Sequence, residues 1–381
     1  MASYWSDYDF SKIPFSQIQR VGQRSLLYRD LFCVSWLLGR FCNYKCSYCW
    51  PYARSDSRDH RPTDLVLATL AEIKKQARER NFNSFHFSFS GGEPTLHPGY
   101  LQILGTYAED TVNCNYQSVH MTTNLSPGLA WFKKYIEVTK GLHRVSLTAS
   151  HHIEFADRDR FCEKLIFLQE NDVQVTINMV MLPDRFEESW ERALFFHEKG
   201  INVTLKPQSD PTASHVVHGY TDEMCKKLQV GMPQKDYTFD RLRKAKKQSQ
   251  RPQSPFHLPE FQPSGDKDIP PVMQVEFKDE SGKAWYMDQA ERFNSFGFNQ
   301  FKGWECSAGF RSIIIREPDG AIKRSYSCHD EPLGYIDKGF QLFDSPKKCM
   351  TPTCVSSADS KIPKRKAGAS LPLWPGDETY I

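Results

Sequence analysis

Two apolar periods, the two-residue step of strands and the 3.6-residue step of helices, take turns along the first half of this chain. The run Leu31-Phe-Cys-Val-Ser-Trp-Leu-Leu38 predicts a buried strand. Pro62-Thr63-Asp64 then opens a helix, with Thr63 as its cap and Val66, Leu70, Ile73 and Ala77 on one face. Ser84 to Ser90 alternates as a strand and delivers Gly91-Gly92, and a helix follows over 98–110. A strand over 118–123 ends in Asn124, and Ser126-Pro127 starts the next helix, since proline at the first helical position gives up only an N–H that has no partner. The rhythm continues with a strand at 144–149, a helix at 157–171 and a strand at 173–182. A helix stopped by Gly200 and a strand at 201–206 complete it. Six such units predict parallel strands with right-handed crossovers, too few for a closed eight-stranded barrel.

Past residue 206 the pattern changes. A short helix near Thr221 to Val230, a basic stretch and a proline-rich linker, Pro252 to Pro271, give way to β-like segments at 272–277 and 283–287 around the turn Ser281-Gly282. Arg311 to Arg316 and Ala321 to Ser327 flank Asp319-Gly320, a strong hairpin signal. The expected division is an N-terminal wrap over 1–30, a partial barrel over 31–206 and a connector over 207–271. A small hairpin-rich domain over 272–360 and a tail over 361–381 follow.

The chain has 381 residues, 39% apolar and 25% charged, as soluble globular chains do. No apolar run approaches the ~20 residues of a spanning helix. The N-terminus has neither a basic nor an apolar signal region, so a cytoplasmic location is expected and no membrane partner. Charge is uneven: Lys235, Arg241, Arg243, Lys244, Lys246, Lys247 and Arg251 against Asp236 and Asp240 make one segment +5.

Eleven cysteines in such a chain point to metal or catalysis more than to disulfides. Cys33, Cys114, Cys162 and Cys225 sit in apolar or helical contexts, as buried thiols do. Cys42, Cys46 and Cys49 form a C-x-x-x-C-x-x-C loop behind the first strand. Three thiolates so placed can hold three corners of a cubane iron–sulfur cluster and leave the fourth iron open. Zinc would need a fourth ligand, and none follows at finger spacing. Cys306, Cys328, Cys349 and Cys354, brought together by the hairpin, can ligate a metal centre completely.

The triplet, the aromatic Tyr48 before its last cysteine and Gly91-Gly-Glu-Pro-Thr95 after the next strand together resemble the radical S-adenosylmethionine (radical SAM) superfamily. The resemblance implies an α/β fold, a partial (βα)6 barrel over 31–206, with a 4Fe-4S cluster on Cys42, Cys46 and Cys49. That cluster would bind S-adenosylmethionine and cleave it to a 5′-deoxyadenosyl radical, which takes hydrogen from the substrate. It further implies that Gly91, Gly92, Glu93 and Pro94 receive the methionyl ammonium and that Tyr48 lies against the adenine. Asn124, Ser146, Ser150 and Lys206 would face the same mouth, the first three near the ribose or carboxylate, and His151 and His152 stand close by. An external one-electron reductant such as flavodoxin or ferredoxin would be needed. Cys306-Ser-Ala-Gly309, Cys328, Leu333-Gly-Tyr-Ile336, Cys349 and Cys354 resemble the twitch form of SPASM/twitch domains, implying an auxiliary iron–sulfur cluster; a zinc knuckle on the same thiols is the alternative.

Two substrates compete. Asn299-Gln-Phe-Lys-Gly-Trp-Glu-Cys306 looks like twitch-bearing bacteriophage enzymes that remodel modified thymine bases, implying a radical rearrangement, an isomerisation, of a base in DNA. The basic segment, expected near the mouth, would neutralise phosphates, with Tyr237 and Phe239 stacking on bases and charge reversal at Lys244, Lys246 and Lys247 abolishing duplex binding. The other reading is maturation of a ribosomal peptide, against which stand only 41 residues ahead of Cys42, too few for a leader-binding domain. A zinc-bound nucleic-acid adaptor without chemistry is a third, which leaves the Gly-Gly-Glu-Pro stretch unexplained.

Overall fold

The computed structural model describes residues 12–23, 27–212, 215–232, 240–253, 275–287, 297–360 and 362–373. The chain begins with β1 (Ile18–Gln23) and a single turn, α1 (Leu27–Asp30). Then come β2 (Leu31–Leu37), α2 (Thr63–Arg78), β3 (Ser84–Ser90), α3 (Tyr100–Glu109), β4 (Tyr116–Thr123) and α4 (Leu129–Thr139). The series closes with β5 (Arg144–His151), α5 (Arg158–Glu170), β6 (Gln174–Met181), α6 (Phe186–Glu198) and β7 (Asn202–Pro207). Strands β2 to β7 pair in sequence order, all parallel, so the six-unit partial barrel expected from the periodicity is present.

Alternation decides which face of each strand is buried. In β3 the rings of Phe85, Phe87 and Phe89 turn into the helical layer and are fully buried, while His86, Ser88 and Ser90 stay half-exposed on the other face. Val66, Leu70, Ile73 and Ala77 of α2 come up one face at helical spacing and join the same core. The half-exposed positions of β5, Ser146, Thr148 and Ser150, continue a polar inner surface across the sheet.

Two helix starts differ from expectation. Pro62 holds the cap position of α2, and Thr63 is already its first residue, with no side-chain cap bond. Helix α4 begins at Leu129 and not at Pro127, because the Asn124 side chain accepts the Ser126 N–H at 2.9 Å and closes a turn there.

After α7 (Asp222–Val230) and α8 (Asp240–Gln248) come β8 (Val275–Asp279), β9 (Ala284–Met287), β10 (Glu305–Cys306), β11 (Ser312–Ile315) and β12 (Ala321–Lys323). Four two-residue strands finish the chain: β13 (Gly334–Tyr335), β14 (Gly339–Phe340), β15 (Lys347–Lys348) and β16 (Lys364–Arg365). The predicted hairpin is β11 with β12, and it does not stand apart. Strand β11 adds in parallel to β2, Ser312 opposite Cys33 through Ile315 opposite Trp36, so the barrel sheet runs to ten strands. The hairpin stops at Lys323, short of Ser327, because Arg324 turns inward to the Ala308 carbonyl (3.1 Å) and Asp330 (2.5 Å). The other sheet, β15-β10-β16-β1-β8-β9, ties the N-terminal strand to the last one.

The basic segment lies elsewhere than expected. Leu242 and Ala245 bury α8 against α5. Arg241 donates to the Lys199 carbonyl (3.1 Å) beyond the end of α6, and Arg251 donates to Thr139 at the end of α4 and pairs with Asp172 (3.5 Å) just past α5. Helix C-termini carry partial negative charge, which draws guanidinium groups. These ends feed the starts of β5, β6 and β7, so α8 sits at the opposite end of the barrel from the strand C-termini. Lys235, Tyr237 and Phe239 lie outside the described residues, as does most of the proline-rich stretch.

Arg20 of β1 and Glu276 of β8, both almost fully buried, pair at 2.5 Å across the second sheet. Arg20→Met would strand a buried carboxylate and is expected to cost about 3–5 kcal/mol, read by denaturant unfolding; a loss under ~1 kcal/mol would contradict the pairing's role.

Candidate functional site

The strand C-termini present two loops side by side. Leu38 donates to Ser90, Gly92 to Gly39 (2.9 Å) and Glu93 to Phe41 (2.8 Å), so residues 90–93 are zipped by backbone to the approach to Cys42. A Cβ on Gly91 would lie 2.2 Å from the Gly39 oxygen, and one on Gly92 the same distance from the Phe41 oxygen. Glycine is therefore demanded by the neighbouring backbone, and Gly91 also has φ +130°.

Glu93 is buried beneath this contact. Its carboxylate accepts from the Thr95 N–H (3.1 Å), the Thr95 and Thr123 hydroxyls (2.7 Å each) and the Asn124 N–H (2.6 Å). Burial pushes its pKa up and these donors pull it back. Three of these bonds fall on Oε1 and the Asn124 N–H alone falls on Oε2. Glu93 fastens the end of β3 to the end of β4.

The three thiols of the first loop lie close enough to act on one another's charge. Tyr44 N–H points at the Cys42 sulfur (3.4 Å), and the Asn124 amide reaches it at 3.8 Å while bonding Asn43 at 3.0 Å. Burial, Glu154 and the other two cysteines push the Cys46 thiol up to about 12, offset only by Tyr48. Cys42 is raised by burial first and by Glu93 and Cys49. Burial raises Cys49 and Arg54 pulls it back, while burial and neighbouring negative charge raise Cys42 and Cys46, and a metal centre would supply the positive charge those two need. Among the described residues no three His, Cys, Asp or Glu side chains converge on a single-ion site. A cubane takes each thiolate at a separate corner, so a charge-coupled set of three soft donors fits such a cluster.

The remaining candidates divide. Tyr48 is half-buried with its hydroxyl 2.8 Å from His152 Nδ1. Ser150 and Lys206 are next to last in β5 and β7, half-exposed on the inner face near the mouth. Ser146 is not near the mouth: it is the third residue of β5, roughly 13 Å below Ser150 by strand rise, and bonds His120 at 2.9 Å. His151 is buried between Phe161 and Phe196 on the helical side, where burial lowers it to about 3. Sequence reasoning missed Glu154, three residues past β5, whose carboxylate holds Ser47 and which no motif marks.

The cysteines of the second group lie in the interior, near enough to bear on one another's charge. Cys306, Cys328, Cys349 and Cys354 are all buried, and the last three each feel the charge of Cys306. Ser325 hydroxyl donates to Cys328 sulfur at 3.1 Å. Two buried cations flank them: Arg324 lowers Cys328, and Lys364 lowers Cys349 and Cys354. Four thiolates carrying a metal centre keep net negative charge, so this setting suits them. Tyr326, next but one before Cys328, reaches close enough to Ser35 and Ser90 on the inner face of the barrel for both to bear on its hydroxyl.

Around the mouth stand exposed aromatic rings. Trp50 and Tyr52, just past Cys49, stack at 5.9 Å and 8°, and Phe155 stacks on Tyr44 at 5.0 Å and 18°. Arg54, beside the stack, shares Asp56 with Lys45, and Arg316 is near enough to bear on Tyr52.

The sequence profile of the radical SAM superfamily matches residues 36–197, from the end of β2 to α6. No curated protein matches the chain. Solved structures similar to it include native anSMEcpe with bound AdoMet, at 16% identity and TM-score 0.46 over 81% of this chain and 78% of that one. Native anSMEcpe with bound AdoMet and Kp18Cys peptide is similar at 16% identity and TM-score 0.47 over the same shares. Nothing of those proteins' chemistry transfers at that level of likeness.

Gly92→Ala is expected to lower the unfolding midpoint by several degrees and to reduce iron uptake on reconstitution, since backbone cannot yield. Gly105→Ala, whose Cβ meets only Val138 at 3.9 Å, should be neutral or stabilising by about 0.5–1 kcal/mol in its helix. Equal behaviour of the two variants would contradict the zipper.

Proposed function

We propose, from the premise that this chain is a radical SAM superfamily protein, that it abstracts hydrogen from a modified nucleobase in DNA and so rearranges it. Cys42, Cys46 and Cys49 would hold a four-iron cluster, which together with S-adenosylmethionine would supply the hydrogen-abstracting radical chemistry. The chain's own work is to hold and shield. Asn124 presents an amide beside Cys42, the backbone of Gly91 to Pro94 lines the approach, and Tyr48, Ser150 and Lys206 surround the opening. The four buried thiols of the second group hold an auxiliary iron–sulfur cluster, with Tyr326 reaching from beside it into the barrel. A flavodoxin or ferredoxin would deliver the electron.

The observation that carries the base reading is the open Trp50–Tyr52 stack at the rim. An aromatic platform with cations beside it suits an unstacked base, at ~1–3 kcal/mol per stacked ring. The polar inner face suits a hydrogen-bonding substrate. The basic helix no longer contributes, because α8 packs at the far end of the barrel.

The test is anaerobic turnover on modified-thymine DNA and on candidate ribosomal peptides, with products read by mass spectrometry. A product of unchanged mass but altered fragmentation on the DNA base is expected; modification of peptide alone would replace the base reading with peptide maturation. Trp50→Ala with Tyr52→Ala should raise KM for DNA about tenfold, the ~1–3 kcal/mol of a lost stack, at unchanged iron content. Charge reversal at Lys244, Lys246 and Lys247 should now leave turnover unchanged, and loss of turnover there would return the nucleic-acid path to α8.

A further inference from the structure

We propose that Glu154 is a positioning residue for the Cys42 to Cys49 loop and that its charge holds down the reduction potential of the cluster on that loop. The inference rests on the reading that these cysteines carry a four-iron cluster, and goes beyond it to what sets the cluster's behaviour.

The segment His152 to Phe155 leaves the end of β5 on firm footing. His151 and Ile153 are buried beneath it, Phe155 and Ala156 close a turn on the His152 carbonyl at 3.0 and 2.8 Å, and Asp157 caps α5 by accepting from Arg160 at 2.9 Å. From this base three side chains each take one residue of the cysteine loop. Glu154 accepts the Ser47 N–H at 2.9 Å and the Ser47 hydroxyl with its other oxygen. The His152 ring meets the Tyr48 hydroxyl, and Phe155 lies flat on Tyr44. Tyr44, Ser47 and Tyr48 are interleaved with the three cysteines, so holding them fixes where the sulfurs point.

Glu154 differs from its two neighbours in bringing a full negative charge. That charge already bears on the Cys46 thiol. It also turns the Ser47 amide toward a carboxylate, which takes that donor from any cluster sulfur. Net charge and hydrogen bonds to sulfur are the terms by which protein sets a cluster potential, and both act here against the reduced form. Clamping alone would change how firmly iron is held; charge changes the potential as well.

Glu154→Gln keeps an acceptor for Ser47 and removes the charge. Glu154→Ala removes both. In anaerobically reconstituted full-length protein, redox titration followed by electron paramagnetic resonance reads the signal that added S-adenosylmethionine perturbs. E154Q should retain wild-type iron and show about a tenfold higher reduced-to-oxidised ratio at fixed solution potential, which is about 59 mV for a one-electron couple. E154A should lose iron to a chelator several-fold faster than wild type. An unchanged midpoint in E154Q overturns the charge effect, and wild-type iron retention in E154A overturns the positioning. A wild-type protein with no signal responsive to S-adenosylmethionine overturns the cluster assignment, and this inference with it.

Discussion

The site depends on a close approach of two pieces of backbone. Residues 90–93 lie so near residues 38–41 that a single added methyl group on either glycine would overlap a carbonyl oxygen. This contact brings the turn after β3 onto the stem of the cysteine loop, and Glu93 carries it on to the end of β4. Three strand ends thus become one surface. Two half-buried thiols, Cys42 and Cys46, and the exposed Cys49 are kept together on this mount, with Arg54 offsetting charge only at Cys49; repulsion between thiolates would otherwise spread a flexible loop.

The same logic recurs at the second cysteine group with a different solution. There the four sulfurs are supplied from segments remote in sequence, and two buried cations, Arg324 and Lys364, sit among them. Arg324 does double duty, since its turn toward Ala308 and Asp330 also ends the hairpin that extends the barrel sheet. The hairpin between Cys306 and Cys328 therefore joins the barrel sheet, while Cys306 itself lies in β10 of the other sheet, and Tyr326 reaches from beside the cysteines toward the barrel.

The barrel was legible in the sequence because strands such as Ser84–Ser90 and Arg144–His151 alternate, Leu31–Leu37 is a nearly continuous apolar run, and helices such as α2 carry one apolar face. The cysteine loop and the glycine stretch were legible because their chemistry fixes their spacing. Strand β1 was not, since a buried Arg20 paired with a glutamate far along the chain interrupts the apolar pattern. Nor was the place of the basic segment: charge counts give its sign, while only tertiary packing sets Arg241 and Arg251 on helix ends away from the mouth. Ser146 failed for a simpler reason: strand 144–149 continues to His151, and the two added residues move the mouth away from it. Glu154 was hidden because a lone acidic residue after a strand has no signature until the loop it grips is seen.

The proposed function turns on an iron centre that Cys42, Cys46 and Cys49 would hold with one position open to S-adenosylmethionine. Metal analysis and electron paramagnetic resonance of anaerobically reconstituted protein, with and without S-adenosylmethionine, test this most directly. The account predicts about eight irons per chain in two four-iron clusters, with a spectrum that S-adenosylmethionine changes. In the Cys42→Ala, Cys46→Ala, Cys49→Ala variant that change should vanish while about four irons remain. A colourless zinc protein, or a response to S-adenosylmethionine that survives loss of all three cysteines, would contradict it.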